Sequence, residues 1–215
     1  MNANDTNADT DGIGRPSAAA VLIAIVAVFA ALMIVPAAGL AKSPVKFGSK
    51  LNPTVQPSNS YPGLEPQAPG PATFVQNEAY GRPNAGHIAP KNGRIKAIRV
   101  IAGGPGSFRP QIVEVKGDGD QAQAKVLRSG RLLTYAGQTE ANYEDDRYTV
   151  EKFKVDIPVE KGQQLALRGD ITSMIRCSSG GDNTLIFSPS LRKRTPYKTV
   201  SETDGCWILM EAVIR

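Results

Sequence analysis

The sequence predicts a mainly β chain. It reads as an antiparallel two-sheet β-sandwich, jelly-roll-like in its strand spacing, preceded by one N-terminal transmembrane helix and a Pro-rich linker. Three observations predict it. Residues 18–35 (AAAVLIAIVAVFAALMIV) are eighteen in a row without a charged or polar side chain. Nine of the sixteen prolines fall between residues 43 and 92. From residue 93 onward, short runs of Val, Ile, Leu, Phe and Tyr recur between turn residues with no sustained helical period.

Residues 1–17 are rich in Asn, Asp and Thr and poor in apolar side chains, a composition that predicts disorder. Residues 18–41 follow as a transmembrane helix or signal-anchor. At about 1.5 Å per residue the eighteen-residue run spans about 27 Å, near the hydrocarbon thickness of a bilayer. Its leader carries Asp5, Asp9 and Asp11 against Arg15, unlike the basic start of an ordinary secretory signal. Small residues after the run, in Gly39-Leu40-Ala41, leave cleavage and release open. Lys42, Lys46 and Lys50 outnumber Arg15 across the span and argue for a cytoplasmic C-terminal side. The two cysteines and the β-rich composition argue for an extracytoplasmic one.

Residues 42–71 read as a Pro-rich linker, since proline excludes helix and central strand and favours extended chain. The β-sandwich domain is expected over 72–215, beginning with the strand 72–76. Further strands are expected at 94–102, 108–116, 122–127, 132–135, 148–159, around Leu165 and Leu167, at 184–187 and at 206–214. The last is nearly all apolar, as in a mid-sheet strand buried on both faces. Eight strands from residue 94 onward at this spacing, with the strand 72–76, imply two packed antiparallel sheets. Ile98, Val100, Val113, Val115, Phe153, Val155, Leu165, Leu167, Ile186, Trp207 and Leu209 are the expected core.

Residues 72–215 hold 21 Lys and Arg against 16 Asp and Glu, interspersed as on an ordinary surface. Nucleic acid is therefore not an expected partner, and Arg192-Lys193-Arg194 reads as a solvated loop. Cys177 and Cys206 are expected to form a disulfide closing 28 intervening residues. His87, the single histidine, reads as a loop residue, and a metal site or cofactor is not expected. Gly117-Asp118-Gly119-Asp120 lacks the order of a calcium loop, and Glu144-Asp145-Asp146 reads as a loop before a strand. Arg168-Gly169-Asp170 spells an adhesion tripeptide that an ordinary strand-end turn also explains.

No nucleophile elbow or phosphate loop is present, so an enzyme is not expected. Tyr143, Tyr197 and Trp207, with Tyr135 and Tyr148, are candidates for stacking on a ligand such as a sugar.

Arg15-Pro16-Ser17 leading into the apolar run resembles the export or anchor segment of actinobacterial envelope proteins. The series Thr73-Phe74-Val75-Gln76, Gly93-Arg94-Ile95 and the stretch from Phe153 through Ile157-Pro158-Val159 to Leu165-Ala166-Leu167 resembles a β-sandwich domain found in them. The resemblance implies a membrane-anchored, single-pass, non-enzymatic protein. Its extracytoplasmic sandwich would meet a cell-wall component or another envelope protein, or serve as a carbohydrate-binding module.

Overall fold

A computed structural model of the chain describes residues 43–57, 71–169, 171–177 and 181–215. The expected disordered terminus (1–17) and transmembrane helix (18–41) lie outside the described residues, as does the linker segment 58–70. Among the described residues no helix is long and apolar enough to cross a membrane.

The described chain is mainly β, and its paired strands are antiparallel. In chain order the strands are β1 (Val45–Gly48), β2 (Ala72–Gln76), β3 (Gly93–Val100), β4 (Gly106–Lys116), β5 (Gln123–Ser129), β6 (Leu133–Tyr135), β7 (Glu151–Val159) and β8 (Gln164–Gly169). They continue as β9 (Ile175–Cys177), β10 (Thr184–Phe187), β11 (Lys198–Thr199), β12 (Glu202–Asp204), β13 (Cys206–Ile208) and β14 (Met210–Ile214). A four-stranded sheet runs β1-β14-β3-β7. A second runs β11-β5-β4-β8-β2-β10-β12, with β6 also on β4, and β13 pairs with β9. Among the described residues the one α-helix, the short α1 (Glu140–Glu144), stands where the sequence predicted a polar loop.

The principal core lies between the two larger sheets. Phe47, Ile95, Ile98, Met210 and Ile214 from the four-stranded sheet meet Phe74, Phe108, Ile112, Leu165, Leu167 and Ile186 from the other. Phe108 of β4 and Phe153 of β7 pack edge to face at 5.7 Å across the interlayer, a geometry favoured by the aromatic quadrupole. A smaller core, with Val75, Val113, Ala166, Leu185 and Leu191, covers the outer side of the larger sheet.

Pro110 sits inside β4, a central strand, where a missing N–H would normally break the ladder. Its carbonyl accepts from the Gly130 N–H at 2.8 Å. That side of β4 is where its partner changes from β6, paired to Phe108, to β5, paired from Gln111. The donorless nitrogen therefore faces a gap between strands.

Several expectations need correction. The linker predicted over 42–71 contains β1, which pairs with β14 from Val45 against Ile214 to Gly48 against Glu211. Leu51 and Val55 are buried with Ile101, Tyr148 and Leu209. Pro44, Pro53 and Pro57 misled because they flank β1 and its following turn rather than interrupt a strand. The strand predicted over 206–214 is two strands broken at Leu209, whose N–H donates to Met174 and whose carbonyl accepts from Ile101. Val115, Phe153 and Val155 pack against the cores but are half-buried, and Trp207 is half-buried outside the core clusters, against Tyr80.

Cys177 and Cys206 form the disulfide and are directly paired across β9 and β13. Polar groups also tie the layers. The Gln76 carboxamide in β2 donates to Ser49 Oγ at 2.9 Å and to the Ile208 carbonyl at 2.6 Å. Glu211 of β14, 1% exposed, is held by Arg82, Arg99 and Lys46.

Two stability predictions follow from these ties. Reducing the disulfide should lower stability by about 3–4 kcal/mol, because it frees a loop of this length in the unfolded chain. Urea unfolding with and without reductant, repeated on a C177S/C206S variant, checks this. Glu211→Gln should cost about 2–3 kcal/mol by leaving Arg82 and Arg99 facing each other without their carboxylate. Each arginine keeps 23% of its side chain exposed, which places the cost at the lower end for a broken buried pair.

Candidate functional site

The candidate site lies where the start of β4 meets the end of β8. Antiparallel pairing sets Arg109 directly opposite Arg168. Thr73 of β2 is opposite Arg168 on its other side. Side chains in one such row share a sheet face. Gln111, Ala166 and Val75 lie two residues along on that same face, against the smaller core, so both arginines point away from the interlayer core.

Like charges directly opposite on neighbouring strands repel. Neither guanidinium meets a carboxylate among the described residues. Arg109 donates a hydrogen bond from Nη1 to the Gly130 carbonyl at 2.9 Å, which fixes its direction without neutralising its charge.

The two arginines line a cleft of about 500 Å³ with Ser107, Leu132, Tyr135 and Ser173. Pro71 and Pro105 also line it. The Tyr135 hydroxyl lies 3.1 Å from Ser173 Oγ. Two glycines permit this shape by close approach. A Cβ on Gly106 would stand 2.3 Å from the Tyr135 hydroxyl, and one on Gly169 would stand 2.7 Å from the Ser107 carbonyl. Leu132 stands on the rim, 54% exposed, the one exposed large hydrophobic among the described residues. Such a mixture of two cations, hydroxyls and an apolar edge suits an oxyanion carried on a partly apolar body.

A second cavity of about 600 Å³ is lined by Asn77, Glu78, His87, Asp118 and Gln164. Burial disfavours the charged imidazolium and lowers the His87 pKa, partly offset by Glu78 and Asp118. Asp118 accepts from the Gly119 N–H at 2.9 Å and caps a 3-10 turn. Among the described residues, the one close group of three metal-ligand types is Cys177, Asp204 and Cys206. Both sulfurs there are spent in the disulfide, and Asp204 accepts from the Cys206 N–H at 2.7 Å.

The predicted stacking residues are placed apart. Tyr143 packs edge to face on Tyr148 at 5.5 Å. Tyr197 lies under Lys116 and Lys125, with nitrogens 4.3 and 4.6 Å from its ring centre. Trp207 meets Tyr80 at 5.6 Å, and Arg176 covers the Tyr80 ring. Tyr135 alone of the aromatic candidates lines the arginine cleft. Sequence reasoning missed Arg109 and did not single out Arg168 as a site residue, because 59 positions separate them and only the β4–β8 register brings them together. The Arg-Gly-Asp tripeptide drew notice to Arg168, but Arg168 belongs to β8 and Asp170 lies outside the described residues.

Comparison with protein-family models, with curated proteins and with solved structures finds no match for this chain.

If the arginine pair is held against its own repulsion, removing one charge should stabilise the fold. Arg168→Gln should raise stability by about 0.5 kcal/mol at low salt, with the gain shrinking as salt screens the pair. Urea midpoints across a salt series check this; a loss above about 1 kcal/mol would make Arg168 a structural residue instead.

Proposed function

We propose that this chain is a membrane-anchored, non-enzymatic envelope protein whose extracytoplasmic, jelly-roll-like β domain binds an acidic component of the cell envelope through the Arg109–Arg168 cleft. The pairing of Arg109 opposite Arg168 in the β4–β8 register, with no carboxylate on either guanidinium among the described residues, carries the proposal. A fold gains nothing from two like charges set opposite each other, whereas a bound carboxylate or phosphate turns their repulsion into shared attraction.

Other features support the surrounding parts of the reading. The apolar run over 18–35 has the length of a single span. The disulfide favours an oxidising compartment and weighs against the lysine-based inside orientation. The likeness of residues 15–41 to actinobacterial export segments points the same way. Binding to a neutral sugar by stacking has less support: Tyr80 and Trp207 meet at 65° rather than coplanar, and Tyr143 and Tyr197 have other neighbours.

Calorimetric titration of the full chain in neutral detergent tests the cleft. Glucuronate and glycerol 3-phosphate represent its two sources of oxyanion, and glucose is the uncharged control. One or both acids should bind, glucose should not, and Arg168→Gln should weaken binding by about tenfold or more. Equal binding of glucose, or affinities unchanged in both Arg168→Gln and Arg109→Gln, would overturn the assignment.

A further inference from the structure

The outer face of the four-stranded sheet gathers Lys46, Lys96, Arg99, Lys152, Lys154 and Arg215. Alternation along β7 turns Lys152 and Lys154 outward, and both are exposed. Register sets them opposite Arg99 and Ala97 of β3. Across β14, Val213 faces Ala97 and Glu211 faces Arg99, and Lys46 of β1 lies opposite Val213. Arg94 and Lys96 extend the same face. Two carboxylates share it, and both are already engaged. Asp156 is held by Arg94 and Lys96, which push its pKa well below the usual carboxylate range. Glu211 is buried beneath Arg82, Arg99 and Lys46. Lys152 and Lys154 meet no carboxylate among the described residues. They border a shallow groove of about 530 Å³ with Lys96 and Arg215, over a floor of Ala97 and Val213.

We infer that this face docks on an anionic lipid surface. The inference rests on the proposed membrane anchorage. Its charge complements acidic headgroups, whose attraction grows with each basic residue brought within a Debye length. Ala97 and Val213 make the groove floor small and apolar, and the face carries no aromatic ring of the kind that stacks on single-stranded nucleic acid. Chain length supplies the second argument. Nine residues, 36–44, separate the apolar run from β1, so at about 3.5 Å each they reach at most about 32 Å. β1 is itself an edge strand of this sheet. A tether that short gives the face a high effective concentration at the bilayer it is anchored in, so weak individual contacts suffice.

Full-length protein reconstituted into nanodiscs of phosphatidylcholine, with or without phosphatidylglycerol, tests this. Lysine acetylation is read by mass spectrometry, with exposed Lys116 and Lys193 as controls on other surfaces. Lys152 and Lys154 should be modified about fivefold more slowly in anionic discs, with the protection lost in about 0.5 M salt and the controls unchanged. Equal rates in the two discs would overturn the inference. So would protection by soluble polyphosphate with none from phosphatidylglycerol, which would make an anionic polymer the partner. Failure of the chain to stay with discs at high salt would refute the anchor separately. In that case, low-salt binding of the full chain to phosphatidylglycerol vesicles, abolished in K152E/K154E, would still uphold the face, and no binding would sink it.

Discussion

A carboxylate buried in the centre of a sheet constrains much of this fold. Glu211 is in β14, between β1 and β3, and burying it without partners would cost several kcal/mol. Its three cations come from three segments: Lys46 from β1, Arg99 from β3, and Arg82 from the loop between β2 and β3. Arg82 also donates to the Gly48 carbonyl at 2.9 Å, so the loop is fastened to the end of β1. Gly48 has φ of +91°, and a Cβ there would stand 2.4 Å from the Met210 carbonyl. The charge, the turn after β1 and the close approach to β14 thus depend on one another. A sheet assembled without β1 would take Lys46 from Glu211 and the Gly48 carbonyl from Arg82.

The same closing segment joins the layers. Ile208 and Met210, on either side of the break at Leu209, offer carbonyls to Ser49 and Gln76. Gln76 is in β2, on the other large sheet, so its carboxamide reaches across the sandwich. Just before it, Cys206 is bonded to Cys177, and Thr184 of β10 donates to the Cys206 carbonyl at 2.6 Å. A nearly continuous apolar string therefore does three jobs. It supplies a central strand, a covalent closure and the acceptors of a buried polar network.

Legibility followed sequence distance. Strands defined by their own alternation, such as β3, β4 and β7, were readable because period and turn residues are local. The disulfide was readable because only two cysteines exist. β1 was hidden because a four-residue strand carries no periodic signal, and its strand character comes from pairing with residues 163 to 169 positions away. β9, β11 and β12, of two or three residues each, are likewise too short to carry a period. Trp207 was expected inside from its type, yet it alternates outward from Cys206 and Ile208 and packs on Tyr80. The arginine cleft was the least legible feature. Arg109 and Arg168 look like ordinary surface charges until the β4–β8 register makes them neighbours.

The two proposed contact surfaces divide the sandwich between them. Arg109 and Arg168 are on the outer side of the larger sheet, and Lys152 and Lys154 are on the outer side of the smaller one, with the shared core between. Their chemistry differs in the way such a division requires. The lysine face is shallow, exposed and screened by salt, which suits a diffuse anionic plane. The arginine cleft is half-buried, with one guanidinium aimed by the Gly130 carbonyl and hydroxyls at its side, which suits a single oxyanion of defined geometry. A domain resting on lipid through the first would hold the second open on its opposite face. Salt should therefore release the lipid contact before it weakens the cleft, because the planar ammonium attraction is screened while the directed guanidinium bonds are screened less.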